Sequence, residues 1–258
     1  MIAHVTDTHI PGADEATHAD AEPVENLSAA LAHASRRCRG ILVTGDCAAK
    51  AGTDAEYAAF ADVLKSASVP VWLAPGNHDD SAKMQRLFGL ASRDGRCDYV
   101  VDLPGARLVV LDSTRQGRED GALEDSQLEW LDQQLGPTPS IVAMHHPCIP
   151  LGGKAFDSIR LDDDSREGLR GVVTTALGKG ARIHALVSGH AHMSCFAEFA
   201  GAKAIIAPSS AYEFGLSDGV FSYQIGEPQY MEYSWSETGE DFLARVITVN
   251  DALWRVMR

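Results

Sequence analysis

Asp, Asn and His residues recur in this chain directly after short apolar runs. Val5 leads to Asp7-Thr8-His9 and Thr44 to Gly45-Asp46. Ala74 leads to Pro75-Gly76-Asn77-His78-Asp79, Met144 to His145-His146-Pro147, and Ser188 to Gly189-His190-Ala191-His192. In α/β sheets, ligand sites gather at the carboxyl ends of strands. Imidazole and carboxylate with no thiolate suit Fe, Mn, Zn, Co or Ni rather than a structural cysteine-type zinc. The eight side chains Asp7, His9, Asp46, Asn77, His78, His145, His190 and His192 exceed what one ion accepts. Two ions about 3.5–4 Å apart, sharing a carboxylate, would use them. Any one of these segments alone would read as a turn or loop cap; their joint occurrence favours a dinuclear site.

The elements that must position these residues alternate. Ile2–Val5, Ile41–Thr44, Val71–Ala74, Leu108–Leu111 and Ile141–Met144 are apolar and too short for helices, so each predicts a buried strand. Between them lie amphipathic helices. Val24, Leu27, Leu31 and Ala34 share a face behind Pro23, and Thr53-x-x-Glu56 is a capping box opening a helix with Tyr57, Phe60 and Leu64 inward. Leu128, Leu131 and Leu135 make a third face, and Leu169, Val172, Val173, Ala176 and Leu177 a fourth. After Ile183–Val187 the pattern turns to strands alone: Cys195–Phe199, Ala204–Ala207, Phe221–Ile225, Gln229–Trp235 and Leu243–Val249. We expect one domain over residues 1–258: a four-layer α/β/β/α sandwich of two mixed β-sheets flanked by helices.

The order D-x-H, G-D, G-N-H-D, a strand-end H and G-H-x-H resembles the calcineurin-like metallophosphoesterase superfamily. Within it the chain is most similar to bacterial class III cyclic-nucleotide phosphodiesterases and related glycerophosphodiesterases. The further carriers are VTGD (Val43–Asp46), LDST (Leu111–Thr114), Gly121–Leu135, AMHHPCIPLG (Ala143–Gly152) and APSSAY (Ala207–Tyr212). The resemblance implies that Asp7, His9 and His192 hold one divalent ion and Asn77, His145 and His190 a second. Asp46 would bridge both, with a shared water or hydroxide; Mn²⁺ or Fe is expected, and Zn²⁺, Co²⁺ or Ni²⁺ would also fit. His78 would stand beside the metals, oriented by Asp79, to contact phosphate and protonate the leaving alkoxide; Asn77 and His190 would face the substrate too. The implied activity is hydrolysis of a small phosphodiester, either a cyclic 3′,5′-nucleotide or a glycerophosphodiester. Alternatives are a phosphomonoesterase or nucleotide pyrophosphatase on the same site, or a non-catalytic scaffold of the same fold. The chain departs from its relatives at Asp120, where a His is common and where a carboxylate would repel phosphate, and at Cys148, where a second proline is common.

The 258 residues carry 22 Lys and Arg against 36 Asp and Glu, a net charge of −14. That balance argues against nucleic acid and anionic membranes as partners. No apolar run is long enough to span a bilayer, the N-terminus reads as a strand rather than a signal peptide, and five scattered cysteines form no disulfide framework. A reducing cytoplasm is the expected location. His4, His18, His33 and His184 have no motif around them and read as packed or solvated; His146 stands either behind the ligands or facing substrate. Asp162-Asp163-Asp164 reads as a helix N-terminus, with Asp164 ahead of Glu167. Ser209 and Ser210 lack a nucleophile elbow. Phe221, Tyr223, Tyr230, Tyr233 and Trp235 read as sheet packing. The C-terminal strands and the tail with Trp254 and Met257 offer an apolar edge, so a homodimer is expected.

Overall fold

The computed structural model describes residues 1–13, 15–17, 21–217 and 220–250. The first three apolar runs are strands β1 (Ile2–Val5), β2 (Ile41–Thr44) and β3 (Val71–Ala74), separated by helices α1 (Pro23–Ser35) and α2 (Asp54–Leu64). Pro23 opens α1, and the Thr53–Glu56 capping box opens α2 as expected. Then follow α3 (Ser81–Phe88), β4 (Tyr99–Leu103), β5 (Ala106–Val110), α4 (Asp125–Gln134), β6 (Ser140–Ala143), α5 (Lys154–Asp157), α6 (Asp163–Gly178) and β7 (Ile183–Ser188). The C-terminal part is β8 (Cys195–Phe199), β9 (Ala202–Ile206), β10 (Glu213–Ser217), β11 (Val220–Gln224), β12 (Gln229–Trp235) and β13 (Phe242–Thr248).

Two mixed sheets result. One runs β13-β12-β1-β2-β3, with β1, β2 and β3 parallel and the C-terminal pair antiparallel. The other runs β4-β5-β6-β7-β9-β8, with its four central strands parallel and both edge strands antiparallel. Strand alternation splits the apolar side chains into three cores. Ile2, Leu42, Ala74, Met231 and Tyr233 of the first sheet meet Leu108, Val110, Ile141, Ala185 and Val187 of the second. The opposite face of the first sheet, with Ala3, Val5, Ile41 and Val43, packs on Leu27 and Leu31 of α1 and Tyr57 and Phe60 of α2. The opposite face of the second, with Val109, Val142 and Leu186, packs on Leu128 and Leu131 of α4 and Leu169 and Val173 of α6. Helix, sheet, sheet, helix is the expected four-layer order.

Two local readings change, and the Asp162–Asp164 run opens a helix as expected. The Phe221–Ile225 run joins neither large sheet: β11 pairs only with β10 in a two-stranded ribbon, and Tyr223 is 52% exposed there. Tyr230 and Tyr233 do pack in cores, as expected. The cap of α6 is Asp162, which accepts from the Ser165 N–H, so Asp164 lies inside the first turn. Helix α4 ends at Gln134, and Leu135 is already extended. Helix α3 and strands β4 and β10 have no counterpart in the sequence reading. The helix buries only Met84, too little for a periodic signal. His4, bonded to Tyr233 Oη and Thr44 Oγ1, and His184, stacked on Phe242, are packed as expected; His33 bonds Tyr230 Oη. His18, Trp254 and Met257 lie outside the described residues.

Candidate metal centre

The carboxyl ends of β1, β2, β3, β6 and β7 meet at one end of the sandwich, and each delivers its motif there. The loops after β1 and β2 run side by side. Asp7 N–H donates to Gly45 O at 3.1 Å and His9 N–H to Asp46 O at 2.9 Å, and an Ile10–Ala48 bridge extends the parallel pairing past the motifs. Asp7, His9, Asp46, His190 and His192 all hold positive φ, between 45° and 67°. Such left-handed non-glycine residues are uncommon and cost roughly 1–3 kcal/mol each, persisting only where surroundings over-determine them. Gly76 and Gly189 answer a different demand, close approach. A Cβ on Gly76 would strike the Asp46 backbone, and one on Gly189 would strike Thr6 and lie 2.6 Å from Asp7 Oδ2.

Two overlapping groups of side chains share Asp7 and Asp46, and a third brings His146 together with His145 and His190. Ligand atoms of Asp7, His9, Asp46 and His192 lie within 4.8 Å of one another, and so do those of Asp7, Asp46, His145 and His190. Asn77 Oδ1 lies 3.0 Å from His145 Nε2 and so joins the second group. Asp46 offers one oxygen to each half: Oδ1 is 3.4 Å from His145 Nε2 and Oδ2 is 3.8 Å from His9 Nε2. Asp7 does not, because its Oδ2 accepts from Thr6 Oγ1 and from the His190 N–H, both at 2.8 Å. Among the described residues its Oδ1 is buried without a hydrogen-bond partner, 3.4 Å from His192 Nε2.

This donor set fits divalent cations. His145 Nδ1 donates to Thr44 O at 2.7 Å and His192 Nδ1 to Tyr212 O at 2.9 Å, which turns both Nε2 lone pairs into the cluster. The His145 lone pair then faces Asn77 Oδ1 and His190 Nδ1, each at 3.0 Å. His9 and His192 likewise bring their Nε2 atoms to 3.0 Å. A divalent cation seated among these converging atoms would satisfy all of them at once. Burial pushes His9 down to about 3 and His192 to about 4, so both are neutral and able to ligate. Burial also lowers His145, but the charge and hydrogen bond of Asp46 outweigh it and raise it to about 9.

The remaining expected residues divide. His78 stands at the rim, its side chain 35% exposed, with Nε2 4.0 Å from Asp46 Oδ2 and its ring edge-on to His9 at 5.1 Å. Asp79 does not orient it. The turn closed by Asp79 N–H to Gly76 O folds the carboxylate back, where it accepts from the N–H groups of Cys47, Ala48 and Gly76 at 2.9–3.1 Å and from Tyr57 Oη at 3.3 Å. Asp79 therefore clamps the G-D loop to the G-N-H-D loop. His146 is fully buried: its Nδ1 bonds Ser113 Oγ at 2.8 Å and its ring packs on His145 and His190. It does not line the cavity over the cluster. Asp120 is drawn aside by Arg115 at 2.9 Å and Arg118 at 2.5 Å, so its charge is compensated. Cys148 is buried in the α4–α6 core.

A cavity of about 320 Å³ opens over the cluster, with His9, Asp46, Asn77, His78, His190 and His192 in its floor. Its walls are Glu119, Phe156, Ile159, Tyr212 and Phe214. Phe214 stacks on His192 at 4.4 Å and donates its N–H to His192 O, so the start of β10 buttresses that histidine. The sequence reading reached Tyr212 through the APSSAY segment. The other four wall residues belong to no motif, and nothing in their spacing could have found them.

The sequence profile of the Calcineurin-like phosphoesterase family matches residues 1–194. The chain belongs to this family. A probable cyclic nucleotide phosphodiesterase of Rhodococcus erythropolis is 32% identical over 229 residues, covering 84% of this chain and 73% of the relative. A probable glycerophosphodiester phosphodiesterase of Arcobacter nitrofigilis is 25% identical over 249 residues, covering 92% and 89%. Among solved structures, the purple acid phosphatase PPD1 of yellow lupin superposes with a TM-score of 0.69 at 13% identity, over 97% of this chain and 51% of that chain. That likeness is one of fold. The family match ends just past His192, so it contains the whole floor of the site but not Tyr212 or Phe214 in the wall.

Proposed function

We propose that the chain is a metal-dependent phosphodiesterase that hydrolyses small diesters, with cyclic 3′,5′-nucleotides and glycerophosphodiesters as the candidate substrates. The observation that carries this reading is the pair of buried acceptor groups sharing the two oxygens of Asp46 at the floor of an open cavity. The names of the bacterial relatives support the substrate class. Asp7, His9, Asp46 and His192 would hold one ion; Asp46, Asn77, His145 and His190 the other, with Mn²⁺ or Fe expected and Zn²⁺, Co²⁺ or Ni²⁺ able to substitute. When bound, two divalent ions acidify a shared water and neutralise phosphate oxygens. Two aspartates leave such a site net positive, so a monoanionic diester is attracted locally despite the overall −14. Asn77 and His190, between floor and cavity, would face the phosphate. His78, at the rim, is placed to give a proton to the leaving alkoxide.

The nucleotide pyrophosphatase alternative needs cations for further phosphates. A groove of about 660 Å³ beside His78 contains Lys50, Arg96 and Arg115, but each is engaged by a carboxylate: Glu15, Glu124, and Asp120 with Asp162. Steady-state turnover of cyclic AMP, cyclic GMP, glycerophosphocholine and glycerophosphoethanolamine with Mn²⁺ supplied tests the proposal. Bis(p-nitrophenyl) phosphate should be preferred over p-nitrophenyl phosphate in kcat/KM; a clear monoester preference would replace this reading by a phosphomonoesterase.

Among the described residues no helix is long and apolar enough to cross a membrane. The five free cysteines support the cytoplasm as the proposed location. Exposed Leu243 and Val246 on edge strand β13 support a homodimer, which a monomer mass in light scattering would remove.

A further inference from the structure

We propose that Glu119 makes this site select diesters in which one alcohol arm carries a positive charge. The inference rests on the phosphodiesterase reading and adds the residue that reads the substrate's arm. Beside the His/Asp cluster, the cavity wall is Phe156, Ile159, Tyr212 and Phe214, and among the described residues Glu119 is its only formal charge, with no Lys or Arg. Glu119 is exposed, and among the described residues no hydrogen bond or ion pair engages its carboxylate. The nearby arginines are not available to neutralise it, because Arg115 and Arg118 are held by Asp120. An aromatic wall with one unpaired carboxylate favours an alkylammonium group, through cation–π attraction and charge pairing together, and disfavours a second anion. The cavity, about 320 Å³, has room for a short charged arm once the phosphoryl group occupies the floor.

The test separates this proposal from the enzymatic one by measuring binding. The metal-loaded protein is titrated calorimetrically with phosphocholine and with its uncharged isostere, 3,3-dimethylbutyl phosphate. Wild type should bind phosphocholine about tenfold more tightly, the scale of an exposed ion pair combined with a cation–π contact. The ratio should shrink with added salt, fall to about threefold or less in Glu119→Gln, and be partly kept in Glu119→Asp. Equal binding of the two ligands by wild type, or an undiminished ratio in Glu119→Gln, overturns the proposal. Kinetics then follow with p-nitrophenyl phosphorylcholine and the matching 3,3-dimethylbutyl diester, where kcat/KM should show the same ratio. Tight, charge-selective binding without turnover of any diester would keep the role of Glu119 and overturn the phosphodiesterase reading instead.

Discussion

Two residues carry distinguishable parts of the proposed chemistry. Asp46 alone turns one oxygen to each half of the cluster, so Asp46→Ala should lose both ions, whereas His145→Ala should keep one. Elemental analysis after Mn²⁺ loading and desalting reads the difference; equal stoichiometry in the two variants would remove the bridge. His78 has its ring at the rim and only its backbone N–H tied to Asp46 Oδ1. Its substitution should therefore leave both ions in place. A proton donor matters most to a poor leaving group, and general acid catalysis contributes about 10²–10⁴-fold. His78→Ala should lose that much kcat on alkyl diesters and far less on p-nitrophenyl diesters. Matching losses on both would make His78 a phosphate-positioning group, and a lost metal would make it part of the ligand frame. In neither case does Asp79 serve as its partner, since that carboxylate is committed to three backbone N–H groups and Tyr57.

At the level of elements, the site depends on how closely the strand ends of two sheets approach. The loop after β7 reaches the loop after β1 through the His190 N–H to Asp7 Oδ2 bond, and the segment after β9 reaches it through Ser210 N–H to Thr6 O. Gly189 sits in that seam with no room for a methyl group. Gly189→Ala should force the β1 and β7 loops apart and cost about 1–3 kcal/mol, as overpacking does. Urea unfolding should show that loss, and the metal-loaded variant should hold fewer ions than wild type. Full metal content with wild-type stability would show that the seam yields without disturbing the ligands.

For the whole molecule, acid sensitivity should come partly from a group remote from catalysis. His4 lies in the core between the sheets, bonded to Tyr233 and Thr44, and burial lowers it to about 3. The folded state therefore holds His4 neutral while the unfolded chain protonates it near pH 6.5. Its contribution is fully present above that pH and is lost as pH falls from there toward 3. Between pH 7 and pH 5 the loss should be about 2 kcal/mol. Urea midpoints of metal-stripped wild type and His4→Gln at both pH values check this. The variant should begin less stable and lose less on acidification, and identical slopes would place the sensitivity elsewhere.

How far the sequence reaches differs between the floor of the site and its walls. The strands of the parallel cores, the four-layer order and every floor residue were legible. Buried parallel strands are near-continuous apolar runs, and a short side chain just past a strand end has few directions available. Ligand atoms of Asp7, His9, Asp46, His145, His190 and His192 lie together at these strand ends, with Asn77 Oδ1 beside His145. Tertiary structure decided what depends on packing between distant segments. Asp79 could have met its neighbour His78, but the turn at Gly76 carries it to backbone N–H groups that only the fold brings near. Asp120 and Glu119 are adjacent carboxylates in one loop. Arg115 and Arg118 draw the first aside and leave the second to line the cavity, a choice no spacing encodes. Phe156 and Ile159 come from one segment and Phe214 from another far along the chain, so the cavity they wall exists only after the fold has brought the two together.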